Sequence, residues 1–479
     1  MKTMIMLVAA SCAAFSLNTH AATGPSSSAS PYLVPTAPGV SFTSILSAGD
    51  RVSGKNKSVY RMVGLPDGLG AYDNGDGTMS VLMNHELSGA AGVVRAHGAR
   101  GAFISSWQIR KRDLGVLRGE DLIQTVMLWN GTDYVARDNA VIRHLCSGDL
   151  PAPSAFFNRA SGKGFNAGRF FMSGEEVGDT GRAFAHLAQG RQRGTSYELP
   201  RLGHAAWENL LASPFEQDKT IVAGMDDSRP NASRVYFYVG TKQLSGNPID
   251  QAGLSNGIRY ALAIDGFATE DSINGSDPIP NAFTGRFSLV TAEGSGLNRV
   301  EDGAWDTRNP RRFYFVTTVN SRLWRVTFDD IAHPENGGEI KVLIDSQRLP
   351  NGPRAMDNLT LDAAGNIIIQ EDLGDRIALG KIWQYDTHGE LTQLAGHDAT
   401  RFIAGASADI DGTGSKQSDE ESSGVVDVSD LFQGVEGYDT GHYRYFLLDV
   451  QAHYSSVNGV ALDDELVEGG QLLLMTLTR

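Results

Sequence analysis

Acidic side chains recur along the chain directly after short apolar runs, and they are the groups best suited to carry chemistry. A single acidic residue in such a place is typical of a turn or a capped helix end. Several that converge repel one another unless bound cations neutralise them. The repetition therefore leaves two interpretations: carboxylates that diverge over the surface, or one site that holds several cations. The segments are Asn84-His85-Glu86, Ser173-Gly174-Glu175-Glu176, Trp207-Glu208-Asn209, Met225-Asp226-Asp227, Arg299-Val300-Glu301-Asp302, Met356-Asp357-Asn358 and Gln370-Glu371-Asp372.

One cysteine and one arginine add functional groups of a different kind. Cys146 lies in the Gly-containing segment from His144 to Asp149. It is either a buried apolar cysteine or a thiolate among carboxylates, which suits a transition metal better than calcium. Arg299 stands two residues before Glu301. Its planar guanidinium could hold a substrate oxyanion or pair with a neighbouring carboxylate.

No familiar nucleophile or phosphate-loop motif stands in its usual context. We find no His-Glu-x-x-His and no P-loop, and the Gly-x-Ser-x-Gly match at Gly253-Leu-Ser-Asn-Gly257 precedes an alternating run instead of following a strand. Serine-triad and zincin chemistry are therefore disfavoured. Metal-assisted hydrolysis is the reaction class that remains for a cluster of acidic residues.

The overall charge argues against one class of partner. The chain has 479 residues, with 41 Lys and Arg against 56 Asp and Glu, which gives a formal net charge of -15. Such a surface repels phosphate backbones, so nucleic acid is not expected as a partner. An acidic excess is usually a solvated face, but it also suits a protein that gathers hard cations. The sequence gives no expectation for the oligomeric state.

The N-terminus has the pattern of an export signal. Lys2 is followed by an apolar run from Met4 to Leu17 and then by small residues, including Ala21 and Ala22. We predict a signal peptide over residues 1–22, and hence a secreted or periplasmic protein. No further stretch is apolar and long enough to span a membrane, so no integral membrane segment is expected after cleavage. Cys146 would then be the only cysteine, which excludes an internal disulfide.

The secondary-structure signal is that of many short strands. Alternating apolar runs bounded by Gly, Asp and Asn turns predict an all-β fold. Weakly similar strands in a meander favour a β-propeller with a few short helical insertions, and a jelly roll or sandwich is the competing fold. Short helices are predicted over Leu114–Ile123 and Ala205–Ala212. The strands predicted are Thr78–Met83, Arg169–Met172, Arg234–Val239, Arg312–Thr317, Leu323–Phe328, Asn366–Gln370, Lys381–Tyr385 and Tyr443–Asp449.

The chain is predicted to form one domain after its leader. Residues 23–45 are rich in Ser, Pro and Ala and predict a flexible lead-in. Residues 46–479 are assigned to a single propeller, with insertions near 88–138 and 407–429. Within the second insertion, Asp409 to Glu420 places oxygen-bearing residues at the spacing of a calcium loop. A solvated acidic loop is the alternative there.

Several of these segments together resemble a known family. Asp67-Gly-Leu-Gly-Ala-Tyr-Asp-Asn-Gly-Asp-Gly77, followed by Leu82-Met-Asn-His-Glu86, is similar to the opening of the PhoX-like alkaline phosphatases. The Cys-x-Gly segment at Cys146, Glu175-Glu176, Arg299-x-Glu301, Asp357-Asn358-Leu359 and Gln370-Glu371-Asp372 resemble later parts of that family, in the same order. The resemblance extends from about residue 60 to about residue 410. The twin-arginine export signal usual in the family is absent.

The resemblance implies a propeller whose site combines iron (Fe3+) with several calcium ions (Ca2+). It implies that Cys146, Glu208 and Glu301 are ligands on the iron side. It implies carboxylates on the calcium side, namely Glu86, Glu175, Glu176 and Glu371, and Asp357 as a further metal ligand. Arg299 would contact phosphate, and the catalytic set would be Arg299, Glu301 and Cys146.

The expected function is hydrolysis of small phosphate monoesters outside the cytoplasm. Two alternatives stay open at this stage. One is a non-catalytic, calcium-stabilised propeller that binds a partner through its end face. The other is a calcium-dependent hydrolase of other esters or lactones.

Overall fold

The computed structural model describes residues 21–272, 277–374, 378–402, 420–457 and 460–479. These residues form an all-β structure of short strands with very little helix. The first half of the chain contains β1 (Ala22–Thr23), β2 (Leu33–Pro35), β3 (Val40–Ser47), β4 (Arg51–Ser53), β5 (Val59–Arg61), β6 (Pro66–Asp73), β7 (Thr78–His85), β8 (Phe103–Arg110), β9 (Val116–Asp121), β10 (Thr125–Trp129), β11 (Tyr134–Arg137), β12 (Leu145–Asp149), β13 (Phe157–Asn158), β14 (Lys163–Gly164), β15 (Phe170–Glu175), β16 (Ala183–Leu187), β17 (Thr195–Glu198), β18 (Trp207–Ala212), β19 (Lys219–Asp226) and β20 (Arg234–Thr241).

The second half continues in the same style. It contains β21 (Ile258–Ile264), β22 (Thr284–Val290), β23 (Val300–Trp305), β24 (Arg312–Thr317), β25 (Arg322–Phe328), β26 (Gly338–Asp345), β27 (Met356–Leu361), β28 (Ile367–Glu371), β29 (Lys381–Tyr385), β30 (Leu391–His397), β31 (Glu420–Asp427), β32 (Tyr443–Ala452), β33 (Ser456–Val457), β34 (Val460–Ala461) and β35 (Gly469–Thr478). One α-helix, α1 (Pro248–Gln251), lies after β20. Single 3-10 turns occupy Lys55–Lys57, Pro153–Ala155, Gly178–Thr180, Pro200–Leu202, Pro334–Asn336, Ser346–Arg348 and Ser429–Phe432.

The strands assemble into a β-propeller, which confirms the predicted fold class. Among the described residues there are six blades, each built on an antiparallel meander of four strands. From the centre outward, blade 1 is β6-β7-β8-β9, blade 2 is β12-β15-β16-β17, blade 3 is β18-β19-β20-β21, blade 4 is β23-β24-β25-β26, blade 5 is β27-β28-β29-β30 and blade 6 is β31-β32-β35-β3. The hairpin β10-β11 extends blade 2, and β22 joins the outer edges of blades 3 and 4.

The innermost strands close into a ring around a central channel. Strand β6 contacts β12, and the contacts continue through β18, β23, β27 and β31 back to β6. Blade 6 seals the ring because it combines β3 from near the N-terminus with β35 from the C-terminus, paired antiparallel. Every blade therefore presents one strand to the same axis, so residues far apart in sequence can meet there.

Apolar side chains pack between neighbouring blades and hold them in place. Between blades 3 and 4, the ring of Phe237 lies 5.8 Å from Phe313, 5.2 Å from Phe328 and 6.2 Å from Trp305, measured between centroids. Phe237, Phe313 and Phe328 are fully buried. Each such side chain contributes about 2 kcal/mol to folding by leaving water. The blades are thus rigid supports for whatever their inner ends carry.

Several sequence predictions differ from the structure. Residues Leu114–Ile123 and Ala205–Ala212 are not helices, because they contain the blade strands β9 and β18. Their pairing with neighbouring strands outweighs a local helical pattern. Residues 23–45 do not form a free lead-in. Strand β2 adds to the outer edge of blade 5, and β3, which begins at Val40, is the outer strand of blade 6. Residues 88–138 contain β8 and β9, so much of this stretch belongs to blade 1.

Two further predictions fall on residues whose structure is not described. The signal peptide, apart from its last two positions, and the calcium-like loop before Glu420 lie outside the described ranges. Over the residues that are described, no helix is both long and apolar enough to cross a membrane.

Candidate metal centre

Each of the six inner strands carries a register shift at the same place, near one end of the channel. Two residues of the inner strand lie opposite one residue of the second strand, as in a β-bulge. Bulges re-aim side chains, and here they do so in every blade. The bulged pairs are Asp67-Gly68, Cys146-Ser147, Glu208-Asn209, Glu301-Asp302, Asp357-Asn358 and Ser423-Gly424. The first residue of the pair is acidic or a thiol in five of the six blades.

A second set of side chains comes from the ends of the second strands. In each blade, one residue of the second strand is paired with the inner-strand residue just before the bulge. The set consists of the residues that directly follow these paired residues in the sequence. These residues are Glu86, Glu176, Asp227, Thr318, Asp372 and Gln451. Four of the six are acidic, so the near-sixfold symmetry of the fold produces two sets of carboxylates at one end of the channel.

The ligand atoms of these residues meet in four overlapping groups. Within each group the candidate ligand atoms all lie within 4.8 Å of one another. The groups are Asp67, Glu86 and Cys146; Cys146, Glu176 and Glu208; Glu208, Glu301 and Asp357; and Asp357, Asp372 and Glu421. Because Cys146, Glu208 and Asp357 each belong to two groups, the sets form a continuous chain. We call these nine residues the candidate metal centre.

Burial makes this concentration of charge costly without cations. Burial first, and then Glu208 and Glu421, raise the pKa of Asp67 well above its usual range. Burial, and secondarily Asp227, likewise raises the pKa of Glu301. The pKa of Glu208 rises to about 8, chiefly through burial. The isolated protein would therefore hold protons among these groups, and bound cations would displace them.

Burial also keeps the thiol of Cys146 in its protonated form. Burial raises its pKa well above the ordinary value, and the nearby Asp67 adds to the effect. As a thiol it donates to Asp67 Oδ2 at 3.2 Å. The same Asp67 oxygen accepts from Gln451 Nε2 at 3.0 Å, and Gln451 Nε2 also reaches Glu86 Oε2 at 3.0 Å. Neutral donors thus link blades 6, 1 and 2 at the edge of the centre.

Arg299 is the arginine of the site. Its Nε donates to both oxygens of Asp227, at 3.0 and 3.1 Å, and its Nη2 also pairs with Asp227. Nη2 lies 3.4 Å from Glu301 Oε1. The side chain remains partly exposed, at 41%. No hydrogen bond from Nη1 to the described residues is found, so this end of the guanidinium can receive an anion.

Arg299 and His144 occupy equivalent positions in their blades. Each directly precedes an inner strand and has a positive φ, 56° for Arg299 and 40° for His144. Each reaches back to the preceding blade, where His144 Nδ1 lies 3.4 Å from Glu86 Oε1. This hydrogen bond is the main reason that the pKa of His144 is raised. The same positive φ occurs directly before the inner strands of two further blades, at Leu65 (51°) and Ala355 (45°), so this backbone conformation belongs to the blade repeat.

The structure brings most of the sequence-predicted site residues together. Cys146, Glu208, Glu301, Glu86, Glu176 and Asp357 all belong to the candidate metal centre, and Arg299 borders it.

Glu175 and Glu371 lie elsewhere. Glu175 forms a salt bridge with Arg182 at 2.7 Å, and Glu371 accepts from Trp383 Nε1 at 2.8 Å. Each stands one residue before a residue of the second-strand set, and successive side chains of a strand point to opposite faces. Their carboxylates are satisfied by the protein and do not join the nine residues.

Three members of the centre were not assigned as ligands from the sequence. They are Asp67, Asp372 and Glu421. Asp67 and Asp372 belong to the motifs that resemble the phosphatase family, but the sequence does not show which way their side chains point. Glu421 was missed because blade 6 departs from the common pattern: its bulge carries Ser423, and the acidic residue stands two positions earlier. Ser423 Oγ donates a hydrogen bond to Glu421. A rule that takes the first residue of each bulge would have found Asp67.

The donor set fits metal ions. Glu208 Oε1 is buried and has no hydrogen-bond partner among the described residues. Buried carboxylate oxygens of native proteins nearly always have a partner, and a cation would provide one here. Eight carboxylates offer the oxygen ligands that calcium prefers. One thiol among them is suited to a transition metal.

Comparisons with known proteins place the fold. No family's sequence profile matches this chain, and no curated protein matches it either. PhoX of Pseudomonas fluorescens, solved in complex with vanadate, a transition state analogue, has a similar structure, with a TM-score of 0.64 and 11% identity over 95% of this chain and 97% of that one. At this identity the likeness shows the fold.

Two other solved structures overlap less well. A protein from Lactobacillus plantarum has a TM-score of 0.33 at 10% identity, over 87% of this chain and 92% of that one. A protein of unknown function from Dyadobacter fermentans has a TM-score of 0.39 at 8% identity, over 92% of this chain and 100% of that one.

Proposed function

We propose that this protein is a metal-dependent hydrolase that releases phosphate from small phosphate monoesters. The observation that carries the proposal is the chain of four overlapping ligand groups at the end of the channel. A site that concentrates eight carboxylates and a thiol is built for several cations at once. Together with Arg299, whose Nη1 has no hydrogen bond to the described residues, it suits the hydrolysis of an anionic ester.

The residues divide by the metal they would hold. Cys146, Glu208 and Glu301 would bind iron, because a thiolate with carboxylates favours a transition metal. Glu86, Glu176, Asp357, Asp67, Asp372 and Glu421 would bind calcium through oxygen alone. When bound, such cations polarise a phosphoryl oxygen and lower the pKa of a bound water.

Arg299 would hold a non-bridging oxygen of the phosphoryl group. Asp227 fixes the guanidinium through Nε and Nη2, which leaves Nη1 directed away from this pair. A charge-assisted hydrogen bond from a preorganised donor stabilises charge that develops on the phosphoryl oxygens. Asp227 acts here as a positioning residue, since its contact with substrate is not required.

A pocket beside the centre provides room for an ester. It has a volume of about 810 Å³ and is lined in part by Glu176, Asp227 and Arg299. Pockets of this size accommodate small molecules. The similar PhoX structure was solved with vanadate, a transition state analogue, which favours a phosphate ester over a carboxyl ester or a lactone.

We further propose that the protein works outside the cytoplasm. Support comes from the basic, apolar and small-residue pattern of residues 2–22. Sequencing the N-terminus of the mature protein from fractionated cells tests this: a start near residue 22 or 23 in the periplasmic or secreted fraction is expected. An intact Met1 in the cytoplasmic fraction would contradict it.

The function is tested by turnover of p-nitrophenyl phosphate combined with metal analysis of the purified protein. We expect calcium and iron in the sample, and turnover that chelation removes and Arg299→Gln strongly reduces. Arg311→Gln, an exposed arginine on the same blade, serves as the matched control. Chelation that lowers only the melting temperature, with no ester turned over, would instead identify a non-catalytic binding module. Turnover of carboxyl esters or lactones but not of phosphates would identify a different hydrolase.

A further inference from the structure

A second pocket lies at the opposite end of the propeller from the metal centre. It has a volume of about 540 Å³ and opens between blades 4 and 5. Its walls include the turn that follows the inner strand β23 and the turn between β29 and β30. Both turns lie away from the bulges, because β23 begins at the metal centre and β29 starts near Asp372 and runs away from it. The pocket is therefore separate from the candidate metal centre.

One wall of this pocket presents a row of cations. Arg325 of β25 is paired in register with Tyr314 of β24 and with Lys341 of β26. Side chains of residues directly opposite in an antiparallel sheet lie on the same face, about 5 Å apart. Arg312 is two residues before Tyr314 on β24, so it shares that face. With Arg308 from the turn, four basic side chains line the wall, and we call this the basic pocket.

The protein neutralises these cations poorly. Lys341 has no ion pair with any described residue, and among those residues the guanidinium of Arg308 donates only to the carbonyl of Ala364. Arg325 Nη2 is 3.5 Å from Glu339, and both side chains are partly exposed. Arg312 Nη1 is 3.9 Å from Asp306. Ion pairs this long and this exposed contribute little.

The two acidic residues of the lining are already engaged. Asp306 Oδ1 accepts from the backbone N–H groups of Arg308 and Asn309, at 2.9 and 3.1 Å. Asp386 Oδ1 accepts from the backbone of His388 and Glu390, at 2.9 and 2.8 Å. These hydrogen bonds leave both carboxylates charged, but the four basic side chains of the lining outnumber them. The basic pocket is thus a cationic surface on a chain whose formal net charge is -15.

Repulsion between the basic side chains of the pocket destabilises the unliganded protein, and a bound anion would remove it. Like charges directly opposite each other destabilise a strand pair, and Arg325 and Lys341 are such a pair. The facing wall from blade 5 carries Ile367 and Tyr385, which are paired with each other. A ligand would therefore meet charge on one side and an apolar and aromatic surface on the other.

We infer that the basic pocket is a binding site for a small organic oxyanion that carries at least two negative charges and a flat or apolar body. The guanidinium groups of Arg325 and Arg312 would hold the anionic group, and Lys341 would add a point charge. The body would lie against Tyr385 and Ile367. Phosphate-bearing and carboxylate-bearing molecules share this chemistry. The inference does not depend on the reaction at the metal centre.

The test measures binding by isothermal titration calorimetry on the full protein with its metals in place. The probes are phenylphosphonate for the phosphate class, benzene-1,3-dicarboxylate for the carboxylate class, and benzyl alcohol as an uncharged control. The pocket variant is Arg325→Gln combined with Lys341→Gln. The matched control is Arg311→Gln, which removes an exposed arginine of the same blade outside the pocket.

We expect at least one anion to bind the wild type and Arg311→Gln, and to bind the pocket variant about tenfold more weakly or worse. The anion that binds identifies the class, and benzyl alcohol should not bind. Loss of the like-charge pair should leave the melting temperature of the unliganded variant at or above that of the wild type, which shows that it folds. Because phenylphosphonate also suits the metal centre proposed above, the readout is a binding site that the wild type has and the pocket variant lacks or binds more weakly. Isotherms with the same number of sites and the same affinities in both proteins, or no binding of either anion to the wild type, would overturn the inference.

Discussion

The candidate metal centre and the outer part of blade 4 both bury several carboxylates, but they neutralise them in opposite ways. In blade 4, Arg322 Nη1 lies 3.1 Å from Glu270 and its Nε lies 3.1 Å from Asp345. All three side chains are buried, and we call them the blade 4 ion network. In the centre, eight carboxylates face one arginine at their edge.

The difference shows where the fold depends on something from outside the chain. A buried carboxylate that meets an arginine with good geometry is complete within the protein. Carboxylates that meet only one another require protons or metal ions. The first arrangement stabilises blade 4 by itself, whereas the second leaves a position for a ligand. Four experiments test this contrast, beginning with the one of largest expected effect.

Removal of metal should have the largest effect, and only at the centre. We expect chelation to reduce phosphate ester turnover by at least about 100-fold, because the remaining groups cannot polarise the ester. The melting temperature should fall by about 4 °C if metal at about a thousand times its Kd contributes about 4 kcal/mol, because a chain of this length unfolds with an entropy of about 1 kcal/mol per kelvin. Parallel assays and calorimetry before and after chelation measure both. Re-addition of calcium with iron should restore them, and full activity after chelation would contradict the contrast.

Breaking the blade 4 ion network should destabilise the fold whatever the metal content. Arg322→Leu leaves Glu270 and Asp345 buried without their cation, so we expect a loss of about 3–5 kcal/mol in the free energy of unfolding. Denaturant unfolding of metal-loaded and metal-free samples measures it. The control is Arg286→Gln, which breaks an exposed pair with Asp329 and should cost less than about 1 kcal/mol. A loss seen only in the metal-loaded protein would refute this distinction.

Neutralising one carboxylate of the centre should have two effects of opposite sign. Glu208→Gln should weaken metal binding by about 10-fold or more, because Glu208 belongs to two ligand groups. The same change should raise the stability of the metal-free protein at neutral pH by about 1 kcal/mol, since it removes a carboxyl that must take up a proton when the chain folds. Metal titration and unfolding of the chelated protein test the two halves. Lower stability in the metal-free state would show that Glu208 is satisfied internally.

The stability of the metal-free protein should fall as the pH rises. Burial raises the pKa of Glu208 from 4.5 to about 8. Between these values the folded state binds more protons than the unfolded state, so unfolding becomes more favourable with increasing pH, by about 1.4 kcal/mol per pH unit for one such group. The metal-loaded protein should lose this slope, because bound metal replaces the protons and the folded state then holds no more of them than the unfolded state. Melting temperatures from pH 5 to pH 8 with and without chelator would show it, and parallel curves would contradict it.

Much of the fold follows from local patterns, and the exceptions have a common cause. All eight strands predicted from alternation, such as Arg312–Thr317 and Lys381–Tyr385, are present in the structure. The segments Leu114–Ile123 and Ala205–Ala212 were misjudged because each contains a strand that pairs with the next or preceding strand of its blade, β19 or β8. Their partners decide their structure, and a local pattern does not contain that information.

The site was predicted less completely, again for a geometric reason. The repeated acids after apolar runs, and Cys146, belong to side chains that meet at one end of the channel. The sequence could not decide between Glu175 and Glu176, or between Glu371 and Asp372, since adjacent strand residues face opposite ways. The register of each bulge makes that choice, and register is fixed by pairing across the blade.

The seam in blade 6 sets the order in which the molecule can be completed. Its sheet joins β3, made early in synthesis, to β32 and β35, made last. Until β35 has left the ribosome, the ring stays open and Glu421 has no fixed distance from Asp357 or Asp67. A chain threaded across a membrane while unfolded would then acquire its full complement of ions only on the far side. The composition of that compartment, rather than the interior of the cell, would decide which metals it holds.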